Sequence, residues 1–516
     1  MGATIAAMAM NSGPGCAGRL VRHMIGGVAL VAMLAAGACT SIEDGLDGLS
    51  PASSSVQAGY AATRRPITFE NVQRSDPQSV IGRSQHPKIL AAYGGAYSDP
   101  KLERTLATIV GKLAAQTDDP NRAYRITILN SPNVNAFALP GGYVYITRGL
   151  VALANDSAEV AAVIGHEMAH ITANHGIERQ QREQAAEIAS RVVSEVLAGE
   201  PAGQVALARG KLSLAQFSRQ QELQADILGI RHIAKAGFDP FAAARFLQAM
   251  DSYAKIRTAF QAGDPELDFL ASHPSAPQRI DLANRHAREY GQPGTGTTDR
   301  ERYLAGIDGM LFGDSAVEGY VREQRFYHPG LGITFEVPKG FIIDNTAEAV
   351  LASGPNDTAI RFDGVALPKT TGLVDYVSSG WIGGLDPSSI RAFKIGNLDA
   401  VSARAEGGEY VFDVTVVRVG GQVYRFLTAV QASAASTAAG IASEVAGSFR
   451  LLSIAEKDGL KPLRIRIVTA SASDTTASLA ARMVGVDGKT AMFRLLNDLD
   501  TNMNVKAGTR YKIVAE

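Results

Sequence analysis

Cysteine is nearly absent. The two present, Cys16 and Cys39, both lie near the N-terminus, so no disulfide framework can be built. Everything after Cys39 is free of thiols, which suits a compartment where stray thiols would oxidise. There is one tryptophan, Trp381, and a single tryptophan does not make a binding surface. Neither sign of charge is in excess: 50 basic and 51 acidic side chains leave a formal net charge of −1. That excludes nucleic-acid binding by bulk positive charge. No long internal repeat is seen, which excludes a solenoid. What is present is an ordinary globular composition, 46% hydrophobic and 20% charged, in 516 residues. At roughly 150 residues per domain, the length suggests about three domains.

The first segment reads as an address. Arg19, Arg22 and His23 precede a short apolar run, Met24 to Ala38. A spanning helix needs about 20 apolar residues, and this run falls short of that. Basic flank, apolar stretch and small residues fit a secretory signal over 1–38, with Met10 as an alternative start. The ending Ala36-Gly37-Ala38-Cys39 resembles a bacterial lipobox, although Ala36 stands where leucine is usual. This implies acylation of Cys39, a flexible tether over 39–64 and, with Thr40 rather than aspartate next, anchoring at the periplasmic face of the outer membrane.

Residues 65–325 carry helical patterns around one small sheet. TLATIVGKLAAQ (105–116) is an amphipathic helix, and YRITIL (124–129) alternates as a strand. NAFALPGGYVYITRGL (135–150) predicts two extended pieces around a Pro-Gly-Gly break. Helices follow near 157–175, 178–198 and 213–235, and 199–210 reads as a linker. From 330 to 455 the strand patterns 332–338, 358–367, 409–419 and 422–430 precede a helix at 435–452, an α+β domain with no motif. Residues 462–516 read as strand–helix–helix–strand.

The chemistry is concentrated in AEVAAVIGHEMAHITANHG (158–176). Asp156 suits the N-cap, Glu159 completes a capping-box-like pair, and Gly176 offers a stop. On that helix His166 and His170, four residues apart, lie about 40° from each other around the axis. Both imidazoles therefore meet one face, as two zinc ligands require, and Glu167 beside them can reach a metal-bound water. Glu222 and Asp226 repeat the four-residue spacing on a later helix. Acidic groups on the inner face of an apolar helix need partners. A metal serves Glu222 as third ligand, and Asp226 can accept from the distal nitrogen of a ligand histidine. The metzincin pattern fails, because Gly176 stands where a third histidine would be. His175, about 180° around the helix from His166, reads as structural or surface.

These segments resemble the gluzincin family of zinc metallopeptidases that includes the CAAX-prenyl endopeptidase, HtpX and BepA. The resemblance covers about 80–285 and rests on four segments in order: NAFALPGGYVYITRGLV (135–151), HEMAH (166–170), SRQQELQADILG (218–229) with AGFDP after it, and LASHPSAPQRI (270–280). It implies a mainly helical zincin domain with an edge-exposed sheet in an α+β protein, and one zinc per chain. His166, His170 and Glu222 would be its ligands, Glu167 the catalytic base and Asp226 a supporting acid. Asn135, Ala136, Phe137 and Ala138 would belong to an edge strand that pairs with substrate backbone. His273 is implied either as an inhibitory fourth ligand or as an oxyanion donor, and Arg219 is the other oxyanion candidate.

Unlike the membrane-embedded relatives, the catalytic region has no spanning helix, and no tetratricopeptide repeats follow it. The resemblance therefore implies a periplasmic lipoprotein endopeptidase acting on unfolded or misassembled envelope proteins, near the outer-membrane assembly machinery. Residues 463–514 resemble a LysM module, with Ser473 where glycine is usual before the aspartate, and this implies peptidoglycan contact. The competing functions are a non-catalytic envelope chaperone or scaffold with a structural zinc, and a peptidoglycan hydrolase.

Overall fold

A computed structural model describes residues 77–120, 122–179, 181, 218–260, 269, 273, 277–500 and 502–516. The signal, Cys39, the tether, most of 178–198 and all of 199–210 lie outside the described residues. The chain is mixed helix and sheet, in two compact units. Among the described residues no helix is long and apolar enough to cross a membrane.

The first unit comprises Phe335–Ile343 and Ala349–Arg450. The second comprises everything described up to Thr334, Asp344–Glu348 and Leu451–Glu516. In the second unit, α1 (Pro77–Ala92) and α2 (Pro100–Ala114) lead into a three-stranded sheet. Its strands are β1 (Arg125–Leu129), β2 (Ala136–Leu139) and β3 (Tyr143–Thr147), in the order β1-β3-β2. β1 pairs with β3 in parallel, and β2 with β3 in antiparallel. The expected break after Pro140 is the hairpin turn. Gly141 and Gly142 take φ of +86° and +83°, and a β-carbon on Gly142 would run into the Ala123 carbonyl.

Next come α3 (Arg148–Leu153), α4 (Ser157–Thr172), α5 (Arg219–Lys235), α6 (Ala242–Phe260), α7 (Pro277–Arg288) and α8 (Arg300–Ile307). α4 starts as its sequence predicts, with the Asp156 carboxylate accepting from the Glu159 N–H. The Glu159 carboxylate reaches one residue further back, to the Asn155 N–H. The helix ends at Thr172, before Gly176, and Asn174 takes the left-handed conformation, with φ of 57°.

The C-terminal segment has the expected order: β11 (Arg464–Thr469), α11 (Thr476–Ala481), α12 (Lys489–Leu496) and β12 (Arg510–Ala515), numbered after the strands and helices of the first unit. Its buried side chains, among them Ile465, Leu479, Phe493 and Val514, belong to the same apolar core as Leu102, Leu150, Val160 and Ile164 of the peptidase-like region. At roughly 1.5–3 kcal/mol for each large apolar side chain buried, that shared core is a principal stabiliser of both.

The first unit is built on a seven-stranded sheet. In chain order its strands are β4 (Ile342–Asn345), β5 (Val350–Ser353), β6 (Ala359–Ala366), β7 (Leu385–Ile395), β8 (Leu398–Gly407), β9 (Tyr410–Val419) and β10 (Gln422–Gln431). They lie in the order β7-β8-β9-β10-β6-β5-β4, with α9 (Leu373–Val377) and α10 (Ala435–Gly447) as its helices. The β7–β8 hairpin is absent from the sequence expectation. β7 exposes most of its residues and so lacks the apolar alternation that marks a strand.

Candidate metal centre

α4 and α5 cross where both are glycine. A β-carbon on Gly165 would meet the Gly229 carbonyl at 3.3 Å, and one on Gly229 would meet the His166 amide nitrogen at 3.0 Å. Backbones this close bring the inner face of each helix to the other. His166 and His170 thus face Glu222 and Asp226, and the two matched i, i+4 pairs converge.

The ligand-type atoms of His166, His170, Glu222 and His273 all lie within 4.8 Å of one another, and all four residues are buried. His166 Nε2 is 3.0 Å from His170 Nε2 and 3.3 Å from His273 Nδ1. Glu222 places its oxygens 3.6 Å from His166 Nε2, 3.4 Å from His170 Nε2 and 2.9 Å from His273 Nδ1. Zinc bonds of 2.0–2.1 Å in a tetrahedron put ligand atoms about 3.3 Å apart. The observed spacings scatter around that edge. The donor set, imidazole nitrogens with one carboxylate and no sulfur, is one that catalytic zinc takes.

Around these donors the contacts are specific. Asp226 accepts at 3.0 Å from His166 Nδ1, which turns the other ring nitrogen toward the cluster. Arg279 then grips both acids. Its Nε and Nη2 each lie 2.8 Å from Asp226 oxygens, and its Nη1 lies 2.9 Å from Glu222. Glu167 is buried, its Oε1 has no hydrogen-bond partner, and His273 Nε2 lies 3.5 Å from it. Burial pushes the Glu167 carboxyl above its ordinary range, against the pull of His273 and His166. Burial acts on Glu222 the same way, but His273 and hydrogen bonds from His170 and His273 outweigh it and hold the carboxyl down. His170 is driven well below the ordinary imidazole range, chiefly by burial, and so stays neutral as a ligand must.

Residues 100–287 match the family model described as Peptidase family M48. This stretch is an M48 peptidase domain. M48 peptidases are zinc-dependent, and His166, His170, Glu222 and His273 all lie within the matched residues. The chain is 30% identical over 222 residues to a putative beta-barrel assembly-enhancing protease of Vibrio cholerae, covering 41% of this chain and 45% of that one. It is 26% identical over 282 residues to the beta-barrel assembly-enhancing protease of Escherichia coli K12, covering 50% and 56%. It is 31% identical over 160 residues to the mitochondrial metalloendopeptidase OMA1 of Arabidopsis thaliana, covering 31% of each. The chain thus spans about half the length, or less, of these curated relatives.

Within the M48 domain the other expected residues fall in different places. Arg219 is exposed in the first turn of α5, and the guanidinium at the cluster belongs to Arg279 instead. Arg279 sits in the segment that carried the resemblance, yet its role depends on contacts 53 residues away in the chain. His175 is neither on the surface nor opposite the site. It is buried, with Nδ1 3.0 Å from His170 Nδ1. The helical projection failed because α4 ends at Thr172 and the chain turns back through Asn174. β2 is an edge of its sheet and packs beside α4. Asn135 is buried, its amide bonded to the Tyr93 hydroxyl, and Phe137 stacks on Tyr145.

Proposed function

We propose that the chain is a zinc endopeptidase of the bacterial cell envelope, with His166, His170 and Glu222 as the protein ligands and Glu167 as general base. The observation that carries this is the near-tetrahedral spacing of buried donors with an unbonded carboxylate oxygen beside them. Zinc, when bound, supplies a Lewis acid that polarises the scissile carbonyl and acidifies a water. Glu167, its carboxyl raised above the ordinary range by burial, would take a proton from water and deliver it to the leaving amine. Asp226 fixes the His166 tautomer, and Arg279 holds both acids in place. The edge strand β2, with Asn135 just before it and Ala136, Phe137 and Ala138 in it, pairs with an extended substrate backbone. His273 stands in the fourth position of the cluster and keeps the enzyme latent until a substrate displaces it.

The substrate class in this reading is unfolded or misassembled envelope protein, in the company of the outer-membrane assembly machinery. The relatives named as assembly-enhancing proteases support it. So does the secretory and lipobox pattern ending at Cys39, which would tether the enzyme to the outer membrane on the periplasmic side. The LysM-like order of the C-terminal segment adds peptidoglycan contact to the same reading. Degradation of unfolded outer-membrane protein by wild type and by Glu167→Gln tests it. Chelator-sensitive cleavage lost in the variant supports the proposal. Client protection without cleavage, unchanged in the variant, would make the chain a chaperone, and muropeptide release would make it a peptidoglycan hydrolase.

A further inference from the structure

The turn between α3 and α4 holds the root of the metal-binding helix. Its carbonyls, Val151 to Ala154, are the unpaired end of α3, where helical dipoles leave partial negative charge. One side-chain bond is local, from the Asn155 amide to the Leu153 carbonyl, and four come from far along the chain. The Val151 carbonyl accepts from the Tyr303 hydroxyl. The carbonyls of Ala152, Leu153 and Ala154 accept from one atom, Lys512 Nζ, at 2.8, 3.1 and 2.7 Å. Lys512 is on the last strand of the chain, about 360 residues away, and is fully buried.

A buried ammonium costs several kcal/mol unless its hydrogens and its charge are both answered. Three carbonyls answer the hydrogens. Glu159 in the first turn of α4, Asp156 at its N-cap and Asp498 favour the charge, while burial, with Arg300, pulls the pKa down to about 7. Arg245 completes the group, 3.1 Å from Asp156, 3.4 Å from Glu159 and 2.6 Å from Asp239. Asn497 fixes β12 beneath the lysine: its side chain accepts from the Lys512 N–H and donates to the Lys512 carbonyl.

We infer that Lys512 is a positioning residue for the metal centre: the C-terminal strand–helix–helix–strand segment is a built-in clamp that sets the angle of α4 and hence the reach of His166 and His170. α4 has two fixed points. One is its glycine crossing with α5 at Gly165, the other its root at Asp156. At 1.5 Å per residue the root lies about 13.5 Å before that crossing and His170 about 7.5 Å beyond it. A shift of about 1 Å at the root therefore swings His170 by about 0.6 Å, against a tolerance of about 0.2 Å in metal–ligand distances. Lys512, together with Arg245 and Tyr303, adds a restraint at the root to the packing around the buried helix.

The inference rests on the zinc reading, and its test separates the two. Zinc affinity is measured for the full chain and for Lys512→Met, Asn497→Ala and Leu479→Ala, with the visible spectrum of each cobalt-loaded chain. All are compared where far-UV circular dichroism shows them folded. Leu479→Ala opens the same core but removes none of the hydrogen bonds to the turn. Lys512→Met should lose about tenfold or more in zinc affinity and shift the cobalt bands. Asn497→Ala should move both in the same direction and carries the test if Lys512→Met does not fold. Leu479→Ala should lower the melting temperature but leave both metal readouts at wild type. A Lys512→Met or Asn497→Ala chain that is folded with wild-type affinity and spectrum overturns the clamp. A wild type that binds no zinc overturns the zinc reading instead.

Discussion

Gly229 backs directly onto His166: a β-carbon there would lie 3.0 Å from the histidine amide nitrogen and 3.2 Å from its α-carbon. The two helices that carry the metal ligands can approach only because neither has a side chain at the crossing. Gly229→Ala should therefore push α4 and α5 apart by a few tenths of an ångström. Overpacking costs about 1–3 kcal/mol, partly offset by alanine's helix preference of about 0.5–1 kcal/mol. The expected result is a small loss in melting temperature with a disproportionate fall in zinc affinity. Gly440→Ala, where nothing lies within 4 Å, is the control and should leave zinc binding unchanged.

Arg279 is the common partner of Glu222 and Asp226. Arg279→Met leaves two buried carboxylates without their cation, a loss expected to cost about 3–5 kcal/mol. Zinc affinity should fall about 10- to 100-fold, as when other supporting partners of metal ligands are removed. Arg279→Lys keeps the charge but not the fork, so it should recover part of the stability. Calorimetric melting and zinc titration measure the two effects.

His175 meets His170 through their Nδ1 atoms. Removing it in His175→Ala should free the His170 ring and weaken zinc by about tenfold or more. Measured by competition with a chromogenic chelator, an unchanged affinity would return His175 to a packing role.

His232 lies on the same helix as Glu222 but away from the cluster. Burial, with the Arg231 charge adding to it, pushes its pKa down to about 4 from an ordinary 6.5. The unfolded chain therefore binds the proton more readily than the folded one. The stability this residue contributes is complete above pH 6.5 and is lost as the pH falls toward 4. His232→Gln should flatten that part of the stability curve. Chemical denaturation across the window checks it, because the difference between wild type and variant cancels the acid release of zinc that both share.

The site was legible in sequence where its logic is local. The spacing of His166 and His170, and of Glu222 and Asp226, is a property of one helix each, so periodicity alone puts each pair on one face. Arg279, His175 and Lys512 escaped because their partners are set by tertiary contacts. Lys512 stands in RYKIVAE, where alternation with Tyr511 and Ile513 gives no sign of a buried ammonium. Likewise the β7–β8 hairpin is largely solvated and offered no alternation to read, whereas Tyr410–Val419 and Gln422–Gln431, with buried valines and phenylalanines, stood out.

The central claim is that His166, His170 and Glu222 share one ion. Zinc per chain after exhaustive dialysis, for wild type and for folded His170→Ala and Glu222→Gln chains, tests it most directly. The account predicts about one equivalent in the wild type and only a small fraction of that in each variant. Full zinc retention in both variants would contradict it.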